Sequence, residues 1–263
     1  MNLSLIITTF NRFEALELVL KSIELQTVKP NEVVIADDGS NKTTVSKIQE
    51  YIMNSDLNVK HSWQKNLGFR LARSRNKAIS ISDGDYIVMI DGDMVLDKNF
   101  IRDHIFHAKK QQLVQGSRVL LDKENTERML NGNKVLLGFF SNGISNRKNS
   151  IRCILLSSLF SRKSSSIKNT RGCNMGFFKE DYASINGFNN LFEGWGREDS
   201  EFVVRFLNFG FCKKNVRFAA LQFHLWHGLE SDKSIPENDE LLNQAINDNL
   251  TKCESGLNDF IKK

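Results

Sequence analysis

The 263-residue sequence has few of the features that stabilise small secreted proteins or anchor proteins in membranes. Its four cysteines (Cys153, Cys173, Cys212 and Cys253) are widely spaced and include no CxxC pair, which argues against a disulfide framework or a structural zinc site. No apolar run approaches the roughly 20 residues that a membrane-spanning helix needs. The N-terminus lacks the basic flank and cleavage site of a secretion signal. We therefore expect a protein of the reducing cytoplasm that is neither secreted nor integral to a membrane.

Proline and flexible linkers are also scarce. Only Pro30 and Pro236 occur, and no stretch rich in glycine and serine divides the chain into independent halves. The chain is long enough for one large domain with a substantial core. We predict one domain over residues 1–230, followed by a polar helical tail at residues 231–263.

Acidic residues are absent from one long segment. Residues 134–171 contain eight Lys or Arg and no Asp or Glu; because the whole chain carries only +5, the remainder is net acidic. The apolar clusters VLLGFF and IRCILLSSLF are interleaved with these cations. This combination suits a membrane-surface element, although a basic loop folded over the domain's own core would have the same composition. Nucleic-acid binding is not expected, since no stacking pattern or recognition motif accompanies the charge.

The first hundred residues alternate β-branched apolar runs with amphipathic stretches. Strands are predicted at LSLIITT, NEVVIAD, LNVKHSW and YIVMI, and helices at residues 12–26, 41–52 and 69–81. This alternation predicts an α/β fold with a mostly parallel central sheet flanked by helices on both faces. Ligands of such sheets bind at the carboxyl ends of the strands. Polar clusters lie at three of those ends, and we expect them to converge on one crevice: TTFN (8–11), DDGS (37–40) and DGD (91–93).

The pattern is more mixed after Phe100. We predict a helix over residues 101–111, one strand over 113–121, the basic loop, a strand at 173–179 and a short helix near Asp181. The spacing of the apolar residues 202, 203, 206 and 207 then predicts a helix whose first turn holds Glu198 and Asp199. The last predicted strand, over residues 216–227, ends on His224 and His227.

Taken in order, these motifs resemble glycosyltransferase family 2 and related inverting transferases of the GT-A fold. The resemblance lies in SLIITTFNR, VVIADDGS, ARSRNKAI, MIDGDM, GCNMGFFK and GWGREDSEF, which span most of residues 3–228. The last motif contains a Trp-Gly-x-Glu-Asp pattern like that of β-1,4-galactosyltransferase-like and chondroitin-polymerase-like enzymes. Any one motif is weak alone, whereas the ordered set is specific. The resemblance implies a GT-A domain with a nucleotide-sugar-binding half at 1–100 and an acceptor-binding half at 101–230.

On the donor side, the resemblance implies a UDP-sugar and a divalent cation, Mn²⁺ or Mg²⁺. Asp93 is the expected cation ligand, joined by His224 or His227, and Asp91 is expected at the ribose or at a cation-bound water. By the same similarity, Asp38 contacts the base, and Thr9 and Phe10 line the uracil pocket. At least one of Arg70, Arg73 and Arg75 is expected at the pyrophosphate unless the three form a solvated basic face. The full donor set is Thr8, Thr9, Phe10, Arg12, Asp38, Arg70, Asp91, Gly92 and Asp93.

On the acceptor side, the resemblance assigns roles to the GWGREDSEF stretch. Inverting transfer needs a base for the proton of the attacking hydroxyl. Asp199 is the expected base, Glu198 the ligand of acceptor hydroxyls, and Trp195 with Gly196 the surface under the acceptor sugar. Two acids in the first turn could instead only complement the helix dipole, with the Trp in the core.

The expected function is therefore inverting sugar transfer to a saccharide or lipid-linked saccharide in cell-surface glycan synthesis, such as lipopolysaccharide or capsule. One alternative is a sugar-nucleotide-binding protein without turnover. The other is a nucleotidyltransferase of similar architecture, although the first strand is not followed by the Gly-rich phosphate loop usual in that class. The expected location is the cytoplasm, on the inner face of the cytoplasmic membrane if residues 134–171 bind lipid.

Overall fold

The computed structural model describes residues 1–133, 135, 137–228 and 236–261. Its first half alternates strands and helices as predicted. The elements are β1 (Leu3–Thr9), α1 (Phe13–Glu24), β2 (Glu32–Asp37), α2 (Lys42–Asn54), β3 (Val59–Trp63), α3 (Leu71–Ser80) and β4 (Tyr86–Asp91).

The second half contains shorter elements. They are β5 (Met94–Leu96), α4 (Phe100–His107), β6 (Gln112–Gln115), β7 (Val119–Leu121), α5 (Lys123–Leu130), β8 (Ile144–Ser145), α6 (Ile154–Phe160), β9 (Arg162–Ser164), β10 (Asn174–Phe178), α7 (Lys179–Ser184), α8 (Glu198–Asn208), β11 (Cys212–Asn215), β12 (Gln222–His224) and α9 (Pro236–Asn247). Single 3₁₀ turns occupy Arg147–Ser150 and Leu257–Asp259.

Within the described residues, eight strands form the central sheet in the order β3-β2-β1-β4-β10-β6-β11-β9. Strands β1 to β4 pair in parallel, as do β6 and β11, whereas β10 and the edge strand β9 run antiparallel to their neighbours. A smaller sheet, β5-β12-β7-β8, lies beside it. The predicted α/β class with a mostly parallel sheet is confirmed.

Both faces of the central sheet are covered, so its strands are apolar on both sides. Leu5 and Ile7 of β1 pack with Leu16 of α1, while the alternate residue Ile6 packs toward the face that holds Phe202 of α8. Each such side chain contributes about 1.5–3 kcal/mol on full burial. The two apolar layers hold the strand ends in a fixed register at one edge of the sheet.

Three predicted elements differ from the structure. The predicted strand over 113–121 is two strands, because the chain leaves the central sheet after Gln115 and enters the smaller sheet at Val119. Most of the predicted strand over 216–227 is not extended, since Phe218 and Ala220 have φ of 58° and 52°, and only β12 remains. The predicted helix over 101–111 ends at His107, where Ala108 turns to extended backbone.

The basic segment is also more structured than a loop. It contains β8, a 3₁₀ turn, α6 and β9, and its Lys134 lies outside the described residues. Arg152 donates two hydrogen bonds to the buried Asp103, at 2.6 and 2.9 Å, which fastens the segment to α4. The alternative of a segment folded onto the domain's own core therefore holds for Arg152.

The C-terminal residues pack against the domain. Leu242 and Ala245 of α9 form an apolar cluster with Val204 of α8. The predicted boundary between residues 230 and 231 lies outside the described residues. Among the helices that the structure describes, none has both the length and the apolar character needed to cross a bilayer.

Candidate active site

The three polar strand ends meet at one edge of the sheet. In the parallel register, Thr8 is opposite Asp91, and Thr9 is opposite Asp37. Thr8 Oγ1 donates to Asp91 Oδ1 at 3.0 Å, and the Asp38 amide donates to the Thr9 carbonyl at 3.0 Å. The expected convergence of the three polar strand ends is therefore present, with β1 between the other two strands.

The two carboxylates of the DDGS turn make different hydrogen bonds. Asp37 Oδ1 accepts from the amides of Gly39 and Ser40 and so builds the turn. Asp38 accepts from Gln64 Nε2 at 2.5 Å and from the Arg70 amide at 2.7 Å. Burial raises the pKa of Asp38 despite these two hydrogen bonds. Asn41 caps α2, and its side-chain oxygen accepts from the Thr44 amide.

The two residues at the end of β1, Thr9 and Phe10, differ in exposure. Thr9 is buried, whereas the ring of Phe10 is 45% exposed. A half-exposed aromatic ring beside a buried polar strand end can cover a flat ligand. The assignment of a uracil pocket to these two residues stays a prediction.

Asp93 lies in a cluster that fits a divalent cation. Its Oδ2 lies 3.0 Å from Arg12 Nη1 and 3.5 Å from Nε2 of both His224 and His227. One ligand atom from each of Asp93, His224 and His227 can be chosen so that all three lie within 4.8 Å of one another. The buried Oδ1 of Asp93 has no hydrogen-bond partner in the part of the chain that the structure describes. A carboxylate with two imidazoles is a suitable donor set for Mn²⁺.

The same neighbours keep Asp93 ionised. Burial alone would raise the pKa of this carboxyl. The hydrogen bond and charge of His224, followed by the charges of Arg12 and His227, outweigh burial and lower the pKa of Asp93. Arg12 also donates to the Trp226 carbonyl at 3.3 Å, so it joins the start of α1 to the chain that carries both histidines.

The predicted acceptor residues lie at the start of α8. Asp199 Oδ2 accepts from the Gly172 amide at 2.9 Å. Trp195 is 49% exposed and thus is not a core residue, and Gly196 has φ of 102°, a conformation that glycine adopts without strain. Burial, together with the charge of Asp199, raises the pKa of Glu198 to about 7 despite the opposing charge of Arg75.

Arg75 connects the donor and acceptor groups. It is 1% exposed, and its guanidinium reaches Glu198 Oε1 at 3.2 Å and Asp91 Oδ1 at 3.4 Å. It also lies over the ring of Phe188 at 5.1 Å. The alternative of a solvated basic face is therefore wrong for Arg75. Its spacing from Ala72 and Ile79, both on the buried face of α3, could have placed it there.

The other two arginines point elsewhere. Arg70 donates from Nη2 to the Lys65 carbonyl at 2.6 Å, and its contact with Asp38 is through its backbone amide. Arg73 lies 4.8 Å over the ring of Phe260. Of the three, only Arg75 contacts predicted site carboxylates with its side chain.

Sequence reasoning did not identify Lys213. This lysine is buried in β11, and its Nζ donates to the Lys168 carbonyl at 2.8 Å and to Thr170 Oγ1 at 3.3 Å. Burial lowers its pKa to about 8, which the charge of Asp199 opposes. Lys213 thereby fastens the residues before Gly172, the amide donor to Asp199. A lysine in a short polar strand gave no signal of this role.

Two sequence families match the chain. Residues 4–168 match Glycosyl transferase family 2, which accounts for more than half of the chain. Residues 156–226, which contain the Trp-Gly-x-Glu-Asp pattern, match the family described as the N-terminal domain of galactosyltransferase.

Curated relatives include polysaccharide synthases. A chondroitin synthase of Pasteurella multocida is 29% identical over 84% of this chain, and one of Escherichia coli is 26% identical over 84%. These alignments cover only 24% and 34% of the two relatives, so the chain spans about a quarter to a third of their length.

Solved structures share the GT-A fold. Residues 1–349 of Staphylococcus aureus TarS, solved in complex with UDP-GlcNAc, match with a TM-score of 0.66 at 18% identity, over 99% of this chain and 69% of that one. GalNAc-T7, solved with UDP, GalNAc and Mn²⁺, matches with a TM-score of 0.69 at 14% identity, over 94% and 48%.

Proposed function

The chain belongs to glycosyl transferase family 2, and we propose that it transfers a sugar, with inversion, from a UDP-sugar to a saccharide or lipid-linked saccharide of a cell-surface glycan. The observation that supports this proposal is the connection of two groups of side chains through Arg75. The Asp93, His224 and His227 cluster lies on the donor side, the Glu198 and Asp199 pair lies on the acceptor side, and Arg75 contacts Asp91 and Glu198.

On the donor side, Asp38 and Thr9 would receive the base with Phe10 over it, and Asp91 would face the ribose. Thr8, Arg12, Arg70 and Gly92 complete the proposed donor set. Asp93, His224 and His227 would hold a divalent cation, Mn²⁺ or Mg²⁺, which when bound supplies Lewis-acid stabilisation of the charge on departing UDP. The carboxylate and two imidazoles favour Mn²⁺ of the two ions.

On the acceptor side, Asp199 acts as the general base. The acceptor hydroxyl oxygen forms a bond to the anomeric carbon, the bond from that carbon to the UDP oxygen breaks, and Asp199 takes the hydroxyl proton. The Gly172 amide holds Asp199 at 2.9 Å, which fixes the orientation that proton transfer needs. Glu198 binds an acceptor hydroxyl, and the exposed ring of Trp195 with Gly196 supports the sugar.

We place this activity in the cytoplasm, on the inner face of the cytoplasmic membrane. Support comes from the basic segment 134–171, which has no acidic residue. A lipid-linked acceptor would be met at that surface.

The experiment is UDP release from a panel of UDP-sugars, with and without Mn²⁺, using the wild type and Asp93→Ala. We expect Mn²⁺-dependent release in the wild type, and loss of both release and Mn²⁺-dependent UDP binding in a folded Asp93→Ala protein. Binding without release from any donor would indicate a binding protein without turnover. Release of pyrophosphate instead of UDP would indicate a nucleotidyltransferase. Retained Mn²⁺-dependent UDP affinity in Asp93→Ala would refute the cation assignment.

A further inference from the structure

The geometry points to α6 as an element that docks this chain on an anionic lipid bilayer by inserting an outward apolar face between flanking cations. This inference rests on the proposed membrane location and assigns it to one helix. The cations that it invokes include two lysines outside residues 134–171, Lys109 and Lys214.

Helix α6 has the reverse of the polarity expected for a surface helix. Its outward face carries Leu155 and Leu159, each 74% exposed, beside the exposed Leu156 and Phe160. Spacings of one, three and four residues place all four on one side of the helix. Solvated leucines in such a row leave apolar area unburied and mark an interaction surface.

The inward side of α6 fixes this orientation. Ser157 is fully buried and its hydroxyl lies 2.8 Å from His107 Nε2, while Ile154 packs against Val114 and Val216. Rotating the helix to bury its leucines would expose Ile154 and break the hydrogen bond of Ser157. The outward face is therefore built into the fold.

Cations follow α6 in the sequence and lie on the strand that pairs with β9. Arg162 and Lys163 begin β9, two residues beyond the end of α6, and are exposed, as is Lys109, two residues beyond the end of α4. Lys163 of β9 is paired in antiparallel register with Lys214 of β11, which sets these two cationic residues side by side on neighbouring strands. Residues 134–171 contain no acidic residue. Like charges gathered beside an apolar face match anionic lipid headgroups above hydrocarbon.

Helix α6 is joined by a short stretch of chain to the proposed acceptor site. Strand β9 follows α6, and the chain then runs through Thr170 to Gly172, whose amide contacts the proposed base Asp199.

The test is co-sedimentation of the full chain with vesicles of phosphatidylcholine alone or with about 30% phosphatidylglycerol, at low and high salt. We expect binding that needs the anionic lipid and weakens with salt. The pair Leu155→Gln and Leu159→Gln should reduce partitioning at least about tenfold, because two inserted side chains are lost. The pair Arg162→Ser and Lys163→Ser should reduce it and flatten the salt dependence.

The matched control is Leu25→Gln with Met53→Gln, which removes apolar residues of similar exposure, 74% and 78%, from the C-cap of α1 and from α2. It should bind vesicles as the wild type does. Equal binding to neutral and anionic vesicles, or wild-type binding by the α6 variant, would overturn the inference. So would a dimer in gel filtration that only the α6 variant dissociates.

Failure here is distinguishable from failure of the proposed function. Sugar transfer to a water-soluble acceptor without vesicles should be unchanged in the α6 variant, since α6 lies outside the proposed catalytic site. Vesicle binding by a chain that transfers no sugar would refute the transfer alone, and transfer without any lipid binding would refute the docking alone.

Discussion

At the scale of single residues, Arg75 is the group on which the site depends most. Its buried guanidinium stands between Asp91 and Glu198 and close enough to Asp199 for their charges to interact. Removing one partner of a buried ion pair leaves the other charged groups desolvated and unpaired, at a cost of about 3–5 kcal/mol. Arg75 is a positioning residue, because its side chain contacts the proposed site carboxylates.

We therefore expect Arg75→Gln to destabilise the fold and to raise the acceptor KM more than the donor KM. Arg75→Lys keeps the charge but cannot bridge two carboxylates in the same geometry. Compared with Arg75→Gln, it should therefore recover more of the lost stability than of the lost acceptor affinity. Urea unfolding and steady-state kinetics of both variants measure this. If the acceptor KM rises in both variants only in proportion to the loss of stability, Arg75 has a structural role only.

The charge of Glu198 gives a second expectation, on stability. Burial, with Asp199 nearby, raises the pKa of Glu198 to about 7, well above that of an exposed glutamate. The folded state then binds more protons than the unfolded state between about pH 4.5 and 7, so the free energy of unfolding falls as pH rises through this range. Glu198→Gln resembles the protonated form and should escape that loss. In urea unfolding, the free energy of unfolding of the variant relative to that of the wild type should be higher at pH 8 than at pH 5. The same relative free energy at both pH values would refute the pKa shift.

At the scale of elements, the C-terminal helix supports the acceptor side. Asn238 of α9 donates from Nδ2 to the carbonyls of Glu193 and Gly196, both at 3.0 Å, and so ties α9 to the residues around Trp195. Arg197, which follows Gly196 and caps the N-terminus of α8, has φ of 76°, an uncommon conformation outside glycine. The turn that presents Trp195 is therefore held by α9, which the sequence predicted as a polar helical tail without a role in the site.

We expect Asn238→Ala to cost about 1–2 kcal/mol, since it leaves partly buried carbonyls unsatisfied. The acceptor KM should rise while the donor KM stays near that of the wild type. Asn243→Ala, at an exposed position of the same helix, is the control and should change neither. A rise in the donor KM alone would contradict this support of the Trp195 turn.

Element by element, the sequence predicted the first half of the fold well. Residues such as Leu5, Ile7 and Leu16 repeat with the periods of strand and helix because tertiary burial agrees with local pattern there. Residues 216–227 have the same apolar character, yet the positive φ at Phe218 and Ala220 breaks the strand. Nothing in the side chains of Phe218 or Ala220 signals that conformation, which the surrounding packing imposes.

At the scale of the whole molecule, the site is built from distant parts of one chain. Arg12, Asp93 and His227 come together although more than two hundred residues separate the first from the last. The parallel sheet explains part of this convergence, because the carboxyl ends of β1, β2 and β4 share an edge. The position of Arg75 against Glu198 depends on how α3 meets α8, which one-dimensional patterns do not encode.

The central claim is that this crevice transfers sugar with Asp199 as the base, and Asp199→Asn tests it most directly. The amide keeps the size of the side chain but cannot take a proton, so the turnover number for UDP release with acceptor should fall by about 10²–10⁴ while donor affinity is retained. Glu198→Gln, run alongside, should raise the acceptor KM and keep more of the turnover. Near-normal turnover in a folded Asp199→Asn protein, paired with an inactive Glu198→Gln, would contradict the account and move the base to Glu198.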